Sequence, residues 1–147
     1  MANMSKAVLI TGCSSGIGRE TARRLAGRGW TVYATARKPE SIADLADDGC
    51  KLLALDVNDD ASMTAAVAAV EEAEGAVGAL VNNAGYSQSG AIETVPLDDV
   101  RRQFETNVFG LARMCQLVLP GMRAQRSGRI VNISSIGGTL VFPGGGF

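Results

Sequence analysis

The chain has 147 residues, of which 46% are hydrophobic and 20% charged, as expected for one globular domain with a buried core. Its formal net charge of −1 gives no electrostatic reason to expect nucleic acid or an anionic membrane as a partner, and no apolar run reaches the roughly 18 residues of a membrane-spanning helix. The sequence contains no histidine, which excludes a histidine-dependent catalytic triad from this stretch, and its three separated cysteines fit neither a disulfide framework nor a metal-binding pair.

In chain order, short apolar runs alternate with longer segments of helical periodicity. Strands are predicted at residues 6–11, 31–36, 51–55, 79–82 and 129–134. The helical segments between them are predicted at 17–28, from Pro39, from a cap at Asp59 or Asp60, and from near Leu97 to Pro120, where proline should kink or end the helix. This alternation predicts an α/β fold, with a parallel sheet covered by helices on both faces.

Residues 11–18, the glycine loop, have the sequence T-G-C-S-S-G-I-G and lie between the first strand and the first helix. Gly12 permits a tight turn, Gly16 lets the backbone approach a pyrophosphate, and Gly18 allows close packing of the helix on the strand. The helix N-terminus adds free N–H groups and a partial positive charge. The loop therefore predicts a dinucleotide site, the alternative being a glycine-rich turn without a ligand. The predicted contacts are Gly12, Ser14, Ser15, Gly16, Ile17 and Gly18.

The spacing T-G-x-x-x-G-x-G resembles that of the compact branch of the short-chain dehydrogenase/reductase family. Four further motifs of that family follow in the same order: Asp56-Val57, Asn82-Asn83-Ala84-Gly85, Asn107, and G-R-I-V-N-I-S-S at residues 128–135. The resemblance implies a doubly wound parallel sheet, the Rossmann fold, with its first five strands and four intervening helices in this chain. It also implies that residues 1–147 form a dinucleotide-binding domain truncated before the family's Tyr-x-x-x-Lys segment, whose tyrosine would fall just beyond Phe147.

The resemblance assigns roles to these residues. Asp56 and Val57 would contact the adenine, although Asp56 could instead cap only the following turn. The adenosine ribose would be lined by Asn83, Ala84 and Gly85, the alternative being that the asparagines are only turn residues. Of the two serines that end the 128–135 motif, Ser135 rather than Ser134 would hold the substrate oxygen.

Asn107 would belong to the proton relay. On the predicted long helix it shares a face with Phe104, Leu111 and Cys115, and we expect this face to be buried. An unsatisfied amide there would cost about 1–3 kcal/mol, so Asn107 needs hydrogen-bond partners, a relay water being one candidate.

The end of the second predicted strand indicates which nicotinamide cofactor binds. An acidic residue there would accept hydrogen bonds from the ribose 2′-OH of NAD, but this chain has Ala36 followed by Arg37 and Lys38. A guanidinium favours a 2′-phosphate, so the sequence predicts NADP(H), with NAD(H) as the second choice. The alternative is that Arg37 is a solvated surface charge.

The resemblance implies an oxidoreductase that transfers a hydride between nicotinamide and a small-molecule carbonyl or alcohol, active only with its C-terminal half. The alternatives are a non-catalytic NADP(H)-binding or regulatory module, and a structural half of a split fold that binds nothing. We expect no metal site and no nucleic-acid or membrane partner. The N-terminus is too short and polar for a signal peptide, so we expect a cytoplasmic protein. Further expectations are a homo-oligomer at full length, or the C-terminal half as a separate partner chain.

Overall fold

The computed structural model describes residues 5–140 and 143–144, and its strands form one parallel five-stranded sheet in the order β3-β2-β1-β4-β5. The strands are β1 Ala7–Ile10, β2 Thr31–Ala36, β3 Lys51–Ala54, β4 Ala79–Asn82 and β5 Arg129–Asn132. The helices are α1 Gly16–Ala26, α2 Asp60–Glu74, α3 Leu97–Phe104 and α4 Leu111–Ala124, with 3-10 helices at Pro39–Ala46 and Ile136–Gly138 and a π-helical segment at Glu105–Gly110.

The sheet separates two hydrophobic cores because successive side chains of a strand point to opposite faces. Leu9 of β1 and Leu80 of β4 pack with α2 and α4 on one face. Val8 and Ile10 of β1 pack with α1 and the first 3-10 helix on the other face. All four residues of β1 are buried, so the central strand is apolar throughout, as predicted for a sheet with helices on both sides.

The chain runs from β1 outward to β3 and then returns to β4 on the other side of β1. Strand order therefore reverses between β1 and β4, and at such a point the loops that follow the two strands diverge and leave a crevice at the carboxyl edge of the sheet. The predicted Rossmann arrangement of five strands with four helical connections is confirmed.

Local signals predicted several elements well. Asp59, one of two candidate caps, is the N-cap of α2, and its carboxylate accepts hydrogen bonds from the N–H groups of Ala61 at 3.0 Å and Ser62 at 3.4 Å. The helix opened by Pro39 is a 3-10 helix rather than an α-helix.

The helix does not end at Pro120, since α4 continues through it to Ala124. Met114, Val118 and Met122 of this helix are buried in the core, and tertiary packing of this face holds the helix despite the hydrogen bond that a proline removes. A backbone irregularity lies earlier in this part of the chain, in the π-helical segment.

Candidate dinucleotide-binding site

The glycine loop has the backbone shape that its glycines predict. Gly12 has φ of +72°, and a Cβ at this position would lie 2.8 Å from the Cα of Ala84. Gly16 has φ of +58°, and a Cβ there would meet no atom within 4 Å, so the space beside it is open. At Gly18 a Cβ would lie 2.6 Å from the carbonyl oxygen of Gly12. The loop is thus folded tightly onto its own helix and onto the end of β4, while Gly16 faces open space.

The segment after β4 holds the glycine loop in place. The Asn83 side-chain amide donates to the carbonyl oxygens of Thr11 at 3.0 Å and Gly12 at 2.9 Å. The Thr11 hydroxyl oxygen accepts from the backbone N–H groups of Asn83 and Ala84, both at 3.0 Å, and Thr11 is only 1% exposed. Sequence reasoning missed Thr11, and the available signal was a hydroxyl residue between a buried strand and the first glycine of the loop.

The N-terminus of α1 is open to an anionic ligand. Its N-cap, Ser15, makes no side-chain capping hydrogen bond, and the first turn contains no acidic residue. The first-turn N–H groups therefore keep their capacity to bind an anion. Ser14 and Ser15 are exposed beside them. Ile17, another predicted contact, is 61% exposed beside the loop.

Arg37 lies just past the carboxyl end of β2, on the same edge of the sheet as the glycine loop. It is exposed and makes no hydrogen bond or ion pair within residues 5–140 and 143–144. By contrast, Arg19 and Arg23 of α1 are both paired with Asp44. Arg37 is therefore a cation available to a ligand at this edge.

Asp56 follows β3, and one of its carboxylate oxygens accepts the N–H of Asn58 at 3.0 Å. The turn-capping alternative is therefore present, but it occupies only one of the two oxygens. The second oxygen remains an acceptor for the predicted adenine contact. Val57 is buried against the π-helical segment, where a Cβ on Gly110 would lie 2.9 Å from the Cβ of Val57.

Asn107 lies in the π-helical segment, and its partners are backbone groups. Its Oδ1 accepts the N–H of Tyr86 at 3.1 Å, and its Nδ2 donates to the carbonyl of Tyr86 at 2.7 Å. The backbone of the loop after Gly85 thus supplies the hydrogen-bond partners that Asn107 was expected to need. Gly85 itself lies close to the amide, since a Cβ on it would be 3.0 Å from Asn107 Oδ1.

The expected burial of the face that carries Asn107 is wrong. Phe104 is 45% exposed, and Asn107 itself is only half-buried. The wider turn of the π segment breaks the spacing of the predicted face, so that Gly110 and Met114 point into the core instead. π-Helical turns inside α-helices occur frequently at functional sites.

The two candidate serines follow β5 at the same carboxyl edge of the sheet. Ser135 caps the second 3-10 helix, where its Oγ accepts the N–H of Gly137 at 3.0 Å. This hydrogen bond orients the hydroxyl of Ser135 and leaves its hydrogen free to donate. Ser134 is also exposed. The choice of Ser135 over Ser134 stays a prediction.

Asn82, also at this edge, has a buried oxygen without a donor. Its Nδ2 donates to Asn132 Oδ1 at 3.0 Å and to the Cys115 sulfur at 3.4 Å, but its Oδ1 has no hydrogen-bond partner in the described part of the chain. Buried polar groups of this kind are few in folded proteins. Asn82 is only 4% exposed, so this unpaired oxygen is buried rather than hydrated by bulk solvent.

The described residues offer neither a cluster of metal ligands nor, at Cys13 of the glycine loop, a reactive thiol. No group of three or more potential metal ligands from histidine, cysteine and acidic residues occurs in residues 5–140 and 143–144. Burial raises the pKa of the Cys13 thiol to about 11, which keeps it protonated at neutral pH. None of the helices in the same residues is long and apolar enough to cross a membrane.

A glycine loop at a topological switch point, an open helix N-terminus and an unpaired arginine just past the next strand form the candidate dinucleotide site of this α/β fold. The family model for short chain dehydrogenases matches residues 6–146, and the chain belongs to that family. The 3-ketodihydrosphingosine reductase of Bacteroides thetaiotaomicron is 43% identical over 141 residues, which cover 95% of this chain and 51% of that protein.

Solved structures of the family have the same fold. A short-chain dehydrogenase from Streptomyces avermitilis matches with a TM-score of 0.89 and 43% identity, over 95% of this chain and 53% of that one. An actinorhodin polyketide ketoreductase solved with NADPH matches with a TM-score of 0.89 and 37% identity, over 99% of this chain and 59% of that one. The chain spans about half the length of the curated relatives it matches.

Proposed function

We propose that the protein is an NADP(H)-dependent oxidoreductase that transfers a hydride between nicotinamide and a small carbonyl or alcohol substrate. The observation that carries the proposal is the unpaired Arg37 beside an open glycine loop. A 2′-phosphate there would form charge-assisted, bidentate hydrogen bonds with the guanidinium, and no carboxylate follows β2 directly to oppose it. The ketoreductase relative that was solved with NADPH supports a nicotinamide cofactor.

The residues present fit the adenosine diphosphate half of such a cofactor. The open side of Gly16 and the free N–H groups of α1 would hold the pyrophosphate, with Ser14, Ser15 and Ile17 around it. The second oxygen of Asp56 would accept from the adenine amino group. We assign the ribose wall to Asn83, Ala84 and Gly85, and the adenine pocket also to Val57.

When bound, the cofactor supplies or accepts a hydride at nicotinamide C4. The hydroxyl of Ser135 would donate a hydrogen bond to the substrate oxygen as negative charge develops there. Asn107 would belong to the proton relay, and its amide also fixes the backbone of Tyr86, at the start of the loop after Gly85. The general acid and the lysine would come from the family's Tyr-x-x-x-Lys, which the resemblance places beyond Phe147. The proposal includes a cytoplasmic, homo-oligomeric enzyme at full length.

The cofactor assignment is tested by Arg37→Ala, with Arg28→Ala as the matched control. Arg28 is likewise an exposed arginine, but it lies at the opposite end of β2. Isothermal titration of the protein made from its complete natural reading frame should show NADPH binding about 10- to 100-fold weaker for Arg37→Ala, the scale of hydrogen bonds to charged groups. NADH binding should be unchanged, and Arg28→Ala should change neither. Equal losses for both cofactors would refute the assignment.

Catalysis is distinguished from a non-catalytic binding module by assaying NADPH oxidation against a panel of ketones and aldehydes. Ser135→Ala should remove most of kcat and leave the Kd for NADPH unchanged, with Ser134→Ala as the matched control. Tight NADPH binding without turnover of any substrate in the panel would favour the module. A larger loss for Ser134→Ala would move the substrate contact to that hydroxyl.

A further inference from the structure

Arg19 connects two parts of the candidate site that are far apart in sequence. It lies in the first turn of α1, and its Nη1 donates to the Ser14 carbonyl in the glycine loop at 3.4 Å. Its Nη2 pairs with Asp44 in the 3-10 helix Pro39–Ala46, which starts just after Arg37 and Lys38. The Arg19 side chain is 21% exposed, so its guanidinium is partly enclosed between these two segments.

In the proposed cofactor site, the 2′-phosphate would bind between the two segments that Arg19 joins. The loop is fixed to β2 at its start, where the N–H of Cys13 donates to the Thr35 carbonyl at 2.8 Å. Sheet pairing holds β2 only to Ala36, so Arg37 lies past the last paired residue. The backbone hydrogen bonds thus reach Cys13 in the loop and Ala36 in β2. Arg19 contacts the chain just beyond both points, at Ser14 in the loop and at Asp44 in the segment after Arg37.

Arg23 offers a natural comparison within the same cluster. It lies one helical turn further along α1 and pairs with the same Asp44 oxygen at 2.8 Å, and with Asp48 at 2.9 Å. No hydrogen bond or ion pair joins Arg23 to the glycine loop within the described residues. The two arginines thus share a carboxylate and differ in the Ser14 contact.

We propose that Arg19 is a positioning residue for cofactor specificity. By tying the Ser14 carbonyl to Asp44, it sets the gap between the glycine loop and Arg37 to the width of a 2′-phosphate. This inference rests on the proposed NADP(H) function, since Arg37 must be the group that receives the phosphate. A planar guanidinium can bind two acceptors in different directions at once, which a lysine ammonium at the end of a flexible chain does with less fixed geometry.

The test compares Arg19→Met and Arg23→Met in the protein made from its complete natural reading frame. Isothermal titration with 2′,5′-ADP and with ADP isolates the adenosine end of the cofactor and needs no turnover. Arg19→Met should weaken 2′,5′-ADP about tenfold and ADP less than about twofold, whereas Arg23→Met should change both by less than about twofold. Arg19→Lys should weaken 2′,5′-ADP binding almost as much as Arg19→Met, because lysine keeps the charge but not the two-point contact.

Several outcomes would overturn the inference. Equal weakening of both ligands by Arg19→Met, or full recovery in Arg19→Lys, would show that Arg19 does not act as a tether. If Arg19→Met does not fold, Asp44→Asn removes the other end of the same contact and should give the same selective loss; an unselective effect would refute the tether. A loss of 2′,5′-ADP binding with Arg37→Ala but not with Arg19→Met would refute the tether alone. No effect of Arg37→Ala would refute the proposed cofactor assignment itself.

Discussion

Thr11→Val tests how firmly the end of β4 holds the glycine loop. The substitution keeps the shape of the side chain and removes its hydroxyl. The Thr11 Oγ1 accepts the backbone N–H groups of Asn83 and Ala84, each at 3.0 Å, so both donors lose their partner together. Each N–H group has only one hydrogen to donate and no second site through which the loss could be offset.

The expected cost follows from these two donors. A buried polar group left unpaired costs about 1–3 kcal/mol, and two of them would give about 2–6 kcal/mol. Asn83 and Ala84 are half-buried, so water can reach part of this space, and we expect the lower half of that range, about 2–4 kcal/mol. The free energy of unfolding is measured by urea denaturation, with the m-value checked for constancy.

Thr35→Val is the matched control because it makes the same change in another fully buried threonine. The Thr35 hydroxyl donates to the carbonyl of Ile10 at 2.9 Å. A carbonyl has two lone pairs and tolerates the loss of one donor better than an N–H group tolerates the loss of its acceptor, so we expect about 0.5–1.5 kcal/mol. A loss in Thr11→Val no larger than in Thr35→Val would refute the view that this hydroxyl braces the loop.

Three further outcomes follow from the structure. Gly12→Ala should lower the free energy of unfolding by about 1–3 kcal/mol, as urea denaturation would show, because alanine is strained at positive φ and its Cβ would clash. Lys51 holds the pKa of Glu74 below its ordinary value of 4.5, so the pair stabilises the fold above that pH and ceases to do so as the pH falls through the lowered pKa. Lys51→Met should therefore cost less than about 1 kcal/mol at neutral pH, and urea titrations should show the difference shrink as the pH falls through the lowered pKa. At about pH 8, iodoacetamide should alkylate half-buried Cys115 faster than buried Cys13, by mass spectrometry of digests, and equally once urea unfolds the chain.

The sheet and its helical connections were predictable because the signals that specify them are local. Continuous apolar runs mark buried parallel strands, and the carboxylate of Asp59 lies next to the N–H groups it caps. The buried stripe of α2 follows from 3.6-residue spacing alone: Met63, Ala66, Val67 and Val70 share one face of the helix, and all four are buried.

The surroundings of Asn107 could not be predicted, because they depend on contacts distant in sequence. Its partner Tyr86 lies 21 residues earlier, in a loop with no periodicity to detect. The π segment also changes which side chains of the long helix face the core, and helical periodicity assumes a uniform turn. The helix continues past Pro120 for a related reason, since tertiary packing of a buried helix face overrides local propensity.

The two asparagines of the candidate site show what their side chains contribute as amides. Asn107 both accepts from and donates to the backbone of Tyr86, and an aspartate could accept from that N–H but could not donate to the carbonyl. Asn83 donates to two carbonyl oxygens of the glycine loop, where a carboxylate would face them without a proton to share. Both asparagines were singled out by family motifs, and in the structure their amides hydrogen-bond to the backbone around the site. These hydrogen bonds hold the shape of the glycine loop and of the loop after Gly85. Exposed groups such as Arg37 and Ser135, and the second oxygen of Asp56, remain available to a ligand.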